Sequence, residues 1–566
     1  MRLFLLVACL ASVASGDVLP CRWVHLSRVP ETAADVAAIT NIVATGAASG
    51  MNGLLWNAGF DYLGLWSKAK RENLSRVKAF CDGKGVEIVP MLWSVGYGVF
   101  CNFGVRNPDD INLAEGLPET DVPYVRRGAK AVYAPGPDAE VDVNGGFERT
   151  VRTPRGEFPA QWQALDTAGR FLVLDRSVAH GGKASVRLES FKDSLDGQAR
   201  LYLPGLRLKT NRHYVVTGWI KASDDFAPRE ALRVMAMQNG HVLLLCNVSR
   251  TVSGEWSKFT VPIHPCEEGE LNLYIGVWGG RSGRLWVDDV RVVDVGVPGV
   301  LRREGCPFTV RDAASGRVYE EGRDYAPVAH VKTLLCPAEP KSIELVIPAG
   351  SAIREGARLL VTGYSPVTVK DGAQCSTCMS EPRLYELMRR SARDVRDALH
   401  PKTWFLTMDE VRMGGTCAAC AARKTDMAHI LGDCVTRAHG IIREVSPVAR
   451  VCIWSDMFNP VHNARGRVYY CKGSFENAWA YVPKDIVMVD WYGAKYGESL
   501  PFWKEHGFTV IGATYYDAPL ENRAGPDLRE LRRYPNVIGA IYTTWRNDYG
   551  KLAAFGDLLG RRKVEK

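Results

Sequence analysis

The chain has 566 residues, enough for roughly two to four domains with cores of their own, which excludes a small disulfide-stapled scaffold. Lys and Arg total 71 against 63 Asp and Glu, a formal +8 gathered into no long basic run, so no nucleic-acid partner is expected. Hydrophobic residues at 46% and charged residues at 24% exclude a disordered chain, while 15 Trp and 21 Tyr suit sugar rings, whose C–H faces stack on flat side chains.

Met1 to Gly16, MRLFLLVACLASVASG, sets a basic Arg2 before an apolar run that ends in small residues. This predicts a secretory signal peptide over 1–16. Leu6-Val7-Ala8-Cys9 also fits a lipid-acylation box, but the apolar core before Cys9 is short, so cleavage near Gly16 is preferred to anchoring. No later apolar stretch approaches the ~18 residues of a membrane helix. The expectation is a secreted or periplasmic protein with no membrane span.

From Arg22 the chain alternates strand-like and helix-like segments: RWVHLS, an Ala-rich stretch, GLLWN, the charged RENLSRVKAFCDGKG, then VEIVPMLW. The alternation stops after Trp93 and resumes near Pro382, where a helix-like EPRLYELMRRSARDVRDALH leads into WFLTMDE. VCIWSD, IVMVDWYG, TVIGATYY and IGAIYTTW follow. Three strands before the break and five after it predict an α/β fold, a (β/α)8 TIM barrel interrupted after its third strand.

Between the halves, short β-type runs separated by Gly, Asn, Asp and Ser predict an all-β sandwich. The expected organisation is a first barrel part over 17–140, the sandwich over 141–297, a small β-rich connecting subdomain over 298–370, and a second barrel part over 371–566. The motifs NGGFE, HGGKASVRL, HYVVTGWIKA, GEWSKF and LWVDDVRV, in this order, resemble the carbohydrate-binding jelly rolls of families 4, 9 and 22. Trp162, Trp219 and Trp278 are its candidate sugar platforms, with Trp256 and Trp286 read as core. Loops after barrel strands gather on one face, so the insertion is expected beside the mouth.

The strongest chemical constellation is Asp409-Glu410 at the end of the fourth strand, preceded by apolar Trp404, Phe405 and Leu406. Glycoside cleavage needs a carboxylic acid beside the leaving oxygen and a second group near the oxocarbenium-like centre. WFLTMDE, with GMNGLLWN, GVEIVPMLW, CIWSDM and GATYYD at other strands, resembles glycoside hydrolase family 20, the β-N-acetylhexosaminidases. The resemblance implies Glu410 as acid/base and Asp409 as the residue that orients a 2-acetamido group for internal attack. The family's His-x-Gly-Gly is here Phe405-Leu406-Thr407-Met408, and its acidic third-strand motif is Met91-Leu92-Trp93. Other strand ends supply substrate-binding candidates: Trp454, Asp456, Asp490, Trp491, Tyr515, Tyr516 and Trp545, with Arg22 at the first strand. The alternatives are a retaining hydrolase with Asp490 or Asp517 as nucleophile, and a non-catalytic glycan-binding protein.

Cys375-x-x-Cys378 and Cys417-x-x-Cys420 have the spacing of a zinc site, but export favours disulfides or free buried thiols. No metal or other cofactor is therefore expected. The expected partner is an oligosaccharide or polysaccharide glycan.

Overall fold

Eight short apolar strands close on themselves: β1 (Cys21–Ser27), β2 (Gly53–Asn57), β3 (Glu87–Leu92), β4 (Thr403–Leu406), β5 (Arg450–Trp454), β6 (Ile486–Asp490), β7 (Val510–Tyr515) and β8 (Val537–Thr543). Each pairs with its neighbours in parallel, and β8 returns to β1. Strands β4 (TWFL), β6 (IVMVD) and β7 (VIGATY) are buried at every position, so they are largely apolar and lack the polar alternation of a half-exposed strand. Trp23, Leu55, Val89, Phe405, Val487 and Ile541 are among the side chains that fill the interior. This computed structural model describes residues 19–101, 113–228, 232–239, 241–247, 252–265, 267–329, 341–366 and 376–560; the expected signal segment, Cys9 and Cys375 lie outside them.

Helices α1 (Ala33–Ala48), α2 (Lys68–Gly83), α3 (Pro382–Leu399), α4 (Ala418–Ala422), α5 (Met427–Val445), α6 (Tyr496–Glu505), α7 (Ala524–Leu531) and α8 (Leu552–Gly560) complete the barrel's periphery. Local chemistry sets their ends: Thr32 and Asp35 form a capping box on α1, and the Asp426 side chain caps α5. In α3, Leu384, Leu387, Met388, Val395 and Leu399 recur at helical spacing and face the core.

The expected (β/α)8 TIM barrel is corrected by this layout. The eight parallel strands close, but the chain is strand-rich and the helix-per-strand unit is not kept: β5 passes to β6 through 3-10 turns alone, Asp456–Phe458 and Ala478–Tyr481. The cause is local. Residues 455–485 carry Pro460, Gly466, Gly473 and Pro483 and no apolar run of helical period, so no helix propagates there. No helix among the described residues is long and apolar enough to cross a membrane.

Two antiparallel sheets lie within the insertion. One contains Leu172–Asp175, Ser185–Leu188, Leu285–Asp294, Tyr214–Ala222 and Ser257–Ile263; the other contains His241–Asn247, Arg233–Gln238, Leu271–Val277, Ala199–Leu206 and Gln163–Ala164. Leu201, Val216, Phe259 and Val287 are fully buried in their shared core. A third sheet departs from the expected organisation: Gly116–Arg127, assigned above to the barrel, pairs antiparallel with Arg358–Pro366 from the far side of the sandwich. The connecting subdomain is thus built from both flanks of the insertion.

The chain leaves and re-enters the barrel at one neck. Ala114 and Thr377 form an antiparallel bridge, the Glu115 N–H donates to the Ser376 carbonyl at 2.7 Å, and the Cys378 N–H donates to the Leu113 carbonyl at 2.8 Å. Met413 and Tyr470, from loops after β4 and β5, pack into the sandwich core, and the Tyr470 hydroxyl donates to the Gln238 carbonyl at 2.7 Å. Because the sandwich has its own core, the isolated span 140–296 is expected to fold alone, with a β-type circular dichroism spectrum and cooperative melting. A disordered spectrum with rapid proteolysis would show that it depends on the barrel.

Candidate functional site

The carboxyl ends of the barrel strands surround a cavity of about 540 Å³, within the roughly 300–1,000 Å³ usual for small-ligand sites. His25 and Asn57 come from β1 and β2, Asp61 from the turn after β2, Met91 from β3, and Ser94 and Tyr97 from the turn after it. Thr407, Asp409 and Glu410 follow β4; Trp454 ends β5, and Trp491, Tyr516 and Trp545 follow β6, β7 and β8.

The backbone is bent sharply at these ends. Trp93, Glu410, Tyr515, Tyr516 and Asp517 all have φ between 44° and 77°, a region that residues with a Cβ seldom occupy. The turn after β4 lets both members of the dipeptide reach the cavity, where an extended strand would send them to opposite faces. Gly96 packs against this turn so closely that a Cβ would lie 2.0 Å from the Asp409 carbonyl oxygen.

Asp409 and Glu410 have opposed surroundings. Burial, then the neighbouring Asp456 and Glu410 carboxylates, push the Asp409 carboxyl well above the usual carboxylate range. The Glu410 Oε2 accepts from Arg412 Nη2 at 2.7 Å and from the Tyr97 hydroxyl. Arg412 is itself held over Tyr469, 4.8 Å from the ring centre, and over Tyr97 at 5.5 Å. Burial and the two carboxylates push the Tyr97 phenol up, so it stays a donor.

Of the residues expected to bind substrate, Trp454, Trp491, Tyr516 and Trp545 line the cavity. Trp454 is buried and meets Phe405 edge-on at 4.8 Å; Trp491 stacks with Tyr516 at 6.3 Å; Trp545 stands 58% exposed at the rim, 5.1 Å from His25. The other expected residues are not brought there. Arg22 sits at the amino end of β1, its guanidinium donating to the Gly50 and Leu19 carbonyls. Asp456 is a supporting group whose Oδ2 accepts from the Glu410 N–H at 3.0 Å and from Asn463 Nδ2 at 3.0 Å. Asp490 accepts from Asn459, Trp503 and the Tyr492 N–H beneath the site. Tyr515 stacks on Tyr542 at 4.2 Å, and its hydroxyl donates to Asp548. Asp517, the other proposed nucleophile, accepts from the Trp545 and Arg546 N–H groups and holds the β8 turn.

His25, Asn57, Asp61, Ser94, Tyr97, Thr407 and Arg412 were not foreseen. Asn57 and His25 had a signal, polar residues within the strand runs GLLWN and RWVHLS; the others lie in the turns after β2, β3 and β4 and depend on how those turns fold back. Burial holds the His25 imidazole down at about 4, so it is neutral at pH 7, and its Nε2 has no partner. Burial lifts the Asp61 carboxyl to about 6, although it accepts from the Trp93 N–H at 2.7 Å.

The Asp61 shift has a stability consequence. The folded chain holds this proton more tightly than the unfolded chain, so the contribution is fully present below about pH 4 and is lost as pH rises through about 6. Asp61→Asn keeps the acceptor and cannot ionise. Its stability relative to wild type is expected to improve by about 2 kcal/mol between pH 4 and pH 8 in urea unfolding; a difference independent of pH would refute the assignment.

In the sandwich, Trp162 is buried, donating to the Val143 carbonyl at 2.7 Å, so it is core rather than a platform. Trp219 stacks on His180 at 3.9 Å, and Trp256 flanks the same imidazole at 5.6 Å. Trp278 lies between Arg200 and Arg233.

No protein-family model matches the chain, and no curated protein matches it. Part of it is similar to carbohydrate-binding modules of known structure. A family 4 module is 17% identical over 27% of this chain and 97% of its own, with a TM-score of 0.20. The xylan-binding CBM22-1 domain of Paenibacillus barcinonensis Xyn10C is 17% identical over 24% and 86%, with a TM-score of 0.20. Family 16 carbohydrate-binding module 2 is 19% identical over 22% and 87%, with a TM-score of 0.19. These alignments assign no ligand and no catalytic residue to this chain.

Proposed function

We propose that the protein binds a glycan in the barrel-mouth cavity and cleaves a glycosidic bond there. The observation that carries this reading is the adjacent carboxyl pair Asp409 and Glu410, held in opposite electrostatic surroundings between Trp454, Trp491, Tyr516 and Trp545. Cleavage needs a proton for the leaving oxygen and negative charge beside the oxocarbenium-like centre. Carboxyl groups whose environments differ in this way divide the two tasks. Asp409, whose burial and acidic neighbours favour its protonated form, serves as the acid; Glu410, ion-paired with Arg412, faces the developing positive charge. The family 20 likeness assigns the reverse, with Glu410 as acid/base and Asp409 aligning a 2-acetamido group, and it suggests a terminal β-linked N-acetylhexosamine as substrate. Neutral His25, Asn57 and Ser94 offer hydrogen-bond groups to sugar hydroxyls or to that amide. A glycan partner also fits the export expected from Met1 to Gly16.

A second reading, glycan binding without turnover, is favoured by one observation: Arg412 and Tyr97 already occupy Glu410 Oε2. A panel of aryl glycosides and natural glycans, assayed for released sugar and for binding by calorimetry, separates the two. The expected result is hydrolysis of at least one β-linked substrate. Inhibition by a thiazoline analogue of N-acetylhexosamine would support internal attack by the acetamido group, because such an analogue resembles the bound intermediate. Binding without release across the panel would sink the hydrolytic reading and leave the second.

A further inference from the structure

The ten cysteines whose side chains are described, between Cys21 and Cys471, are all buried and none forms a disulfide, so of the two alternatives expected above it is free thiols that hold among them. Three meet in one place beside a carboxylate. Cys378 Sγ lies 3.3 Å from Cys417 Sγ and 3.7 Å from Cys420 Sγ, and Cys420 Sγ lies 3.6 Å from Glu115 Oε2. The donor atoms of Glu115, Cys378, Cys417 and Cys420 all fall within 4.8 Å of one another, and none of these residues is more than 3% exposed.

We propose that Cys378, Cys417 and Cys420 hold a structural zinc ion, with Glu115 or Cys306 closing the fourth corner. Zinc–sulfur bonds of ~2.3 Å at tetrahedral angles separate two sulfurs by about 3.8 Å, whereas a disulfide requires ~2.05 Å. The observed separations lie near the former. Glu115 Oε1 accepts from the Cys417 N–H and the Thr416 hydroxyl, while its Oε2 faces the Cys420 thiol, a weak donor, and a divalent cation would add favourable charge beside a carboxylate buried this deeply. Binding needs no oxidant: each ligating thiol gives its proton to solvent and the metal stays Zn²⁺.

The surroundings resemble an outer layer around a metal. The Cys417 N–H donates to Glu115 Oε1 at 2.7 Å, Cys420 Sγ meets Ser380 Oγ at 3.2 Å, and the Arg303 guanidinium, beside the thiols, pairs with Glu381 at 2.7 Å. Cys306 is buried and its thiol contacts Cys417. The ligands come from distant parts of the sequence. Glu115 and Cys378 stand at the neck where the insertion begins and ends, and Cys417 and Cys420 sit on the segment that follows Asp409 and Glu410. A metal here would fasten the neck to the loop that carries the candidate site.

The test uses the full chain purified without chelator. Mass spectrometry of the metal content is expected to give one zinc per chain, and exchange with Co²⁺ to give tetrahedral ligand-field bands and a near-ultraviolet thiolate charge-transfer band. Its intensity counts thiolates: three identify Glu115 as the fourth ligand, four identify Cys306, and either supports the site. Cys417→Ser and Cys420→Ser are expected to lose more than the ~10–100-fold in metal affinity typical of outer-layer changes, while Cys434→Ser, in α5, keeps stoichiometric metal. If the serine variants misfold, wild-type chain decides: a folded protein that holds no zinc and gives no cobalt bands overturns the proposal. So does an unreduced mass two hydrogens light with Cys378 joined to Cys417 or Cys420.

Discussion

Asp409→Asn is expected to slow hydrolysis of an unactivated glycan by about 10²- to 10⁴-fold, the usual contribution of a general acid, while sparing an aryl glycoside whose leaving group needs no proton. An amide retains the shape and cannot donate that proton. Glu410→Gln is expected to impair both substrates, because charge beside the reacting centre is needed whatever the leaving group. The reverse pattern, with aryl glycoside activity retained only by Glu410→Gln, would return the acid to Glu410 as the family 20 likeness has it. The wild-type rate on unactivated glycans should also persist to a pH well above that of an ordinary carboxylic acid, since burial and the Asp456 and Glu410 carboxylates keep the Asp409 proton in place.

Gly96→Ala is expected to damage the site without touching any side chain in it. The new Cβ would lie 2.0 Å from the Asp409 carbonyl oxygen and 2.9 Å from that of Glu410. Both are backbone atoms of a bent turn, so no rotamer change relieves the clash. Overpacking of this kind costs about 1–3 kcal/mol or more, and displacement of the carboxyl pair by about 1 Å would lower turnover about 10²-fold. Gly83→Ala, near the end of α2 with nothing within 4 Å of its Cβ, is the comparison and should be neutral or slightly stabilising. Equal effects in the two variants would show that the Asp409 turn tolerates movement.

The eight strands were legible because parallel strands covered on both faces are written as short, largely apolar runs. The missing helix between β5 and β6 was less so, since its absence had to be inferred from scattered Pro and Gly rather than from a positive pattern. The same limit governs the site. Trp454, Trp491, Tyr516 and Trp545 were found because they close strands, yet Tyr515 and Asp490, equally close to strand ends, turn into the protein interior. Consecutive positive φ values at Tyr515, Tyr516 and Asp517 decide which of the three faces the cavity, and nothing in the residue types announces them. Arg22 was placed by analogy with a first-strand arginine, but it stands at the opposite end of β1 from His25. Tyr97 reaches Glu410 only once the turns after β3 and β4 have met, a contact between segments more than 300 residues apart, whereas Arg412 lies two residues beyond Glu410 and needs only the bend of their shared turn.

The bridged neck bears on how the chain is made. About 310 residues separate the end of β3 from the start of β4, so at ~5–20 residues per second a ribosome needs about 15 to 60 s between emergence of the two. Through that interval β3 has an open edge. Closing a flexible loop of that length is entropically costly, by an amount that grows with the logarithm of its length. A sandwich that folds while still tethered, and pairs 113–115 with 376–378, turns the long excursion into a short one before β4 arrives. Slowing translation across the insertion should then raise the yield of native barrel, and loosening the neck should send nascent chains toward edge-to-edge aggregation.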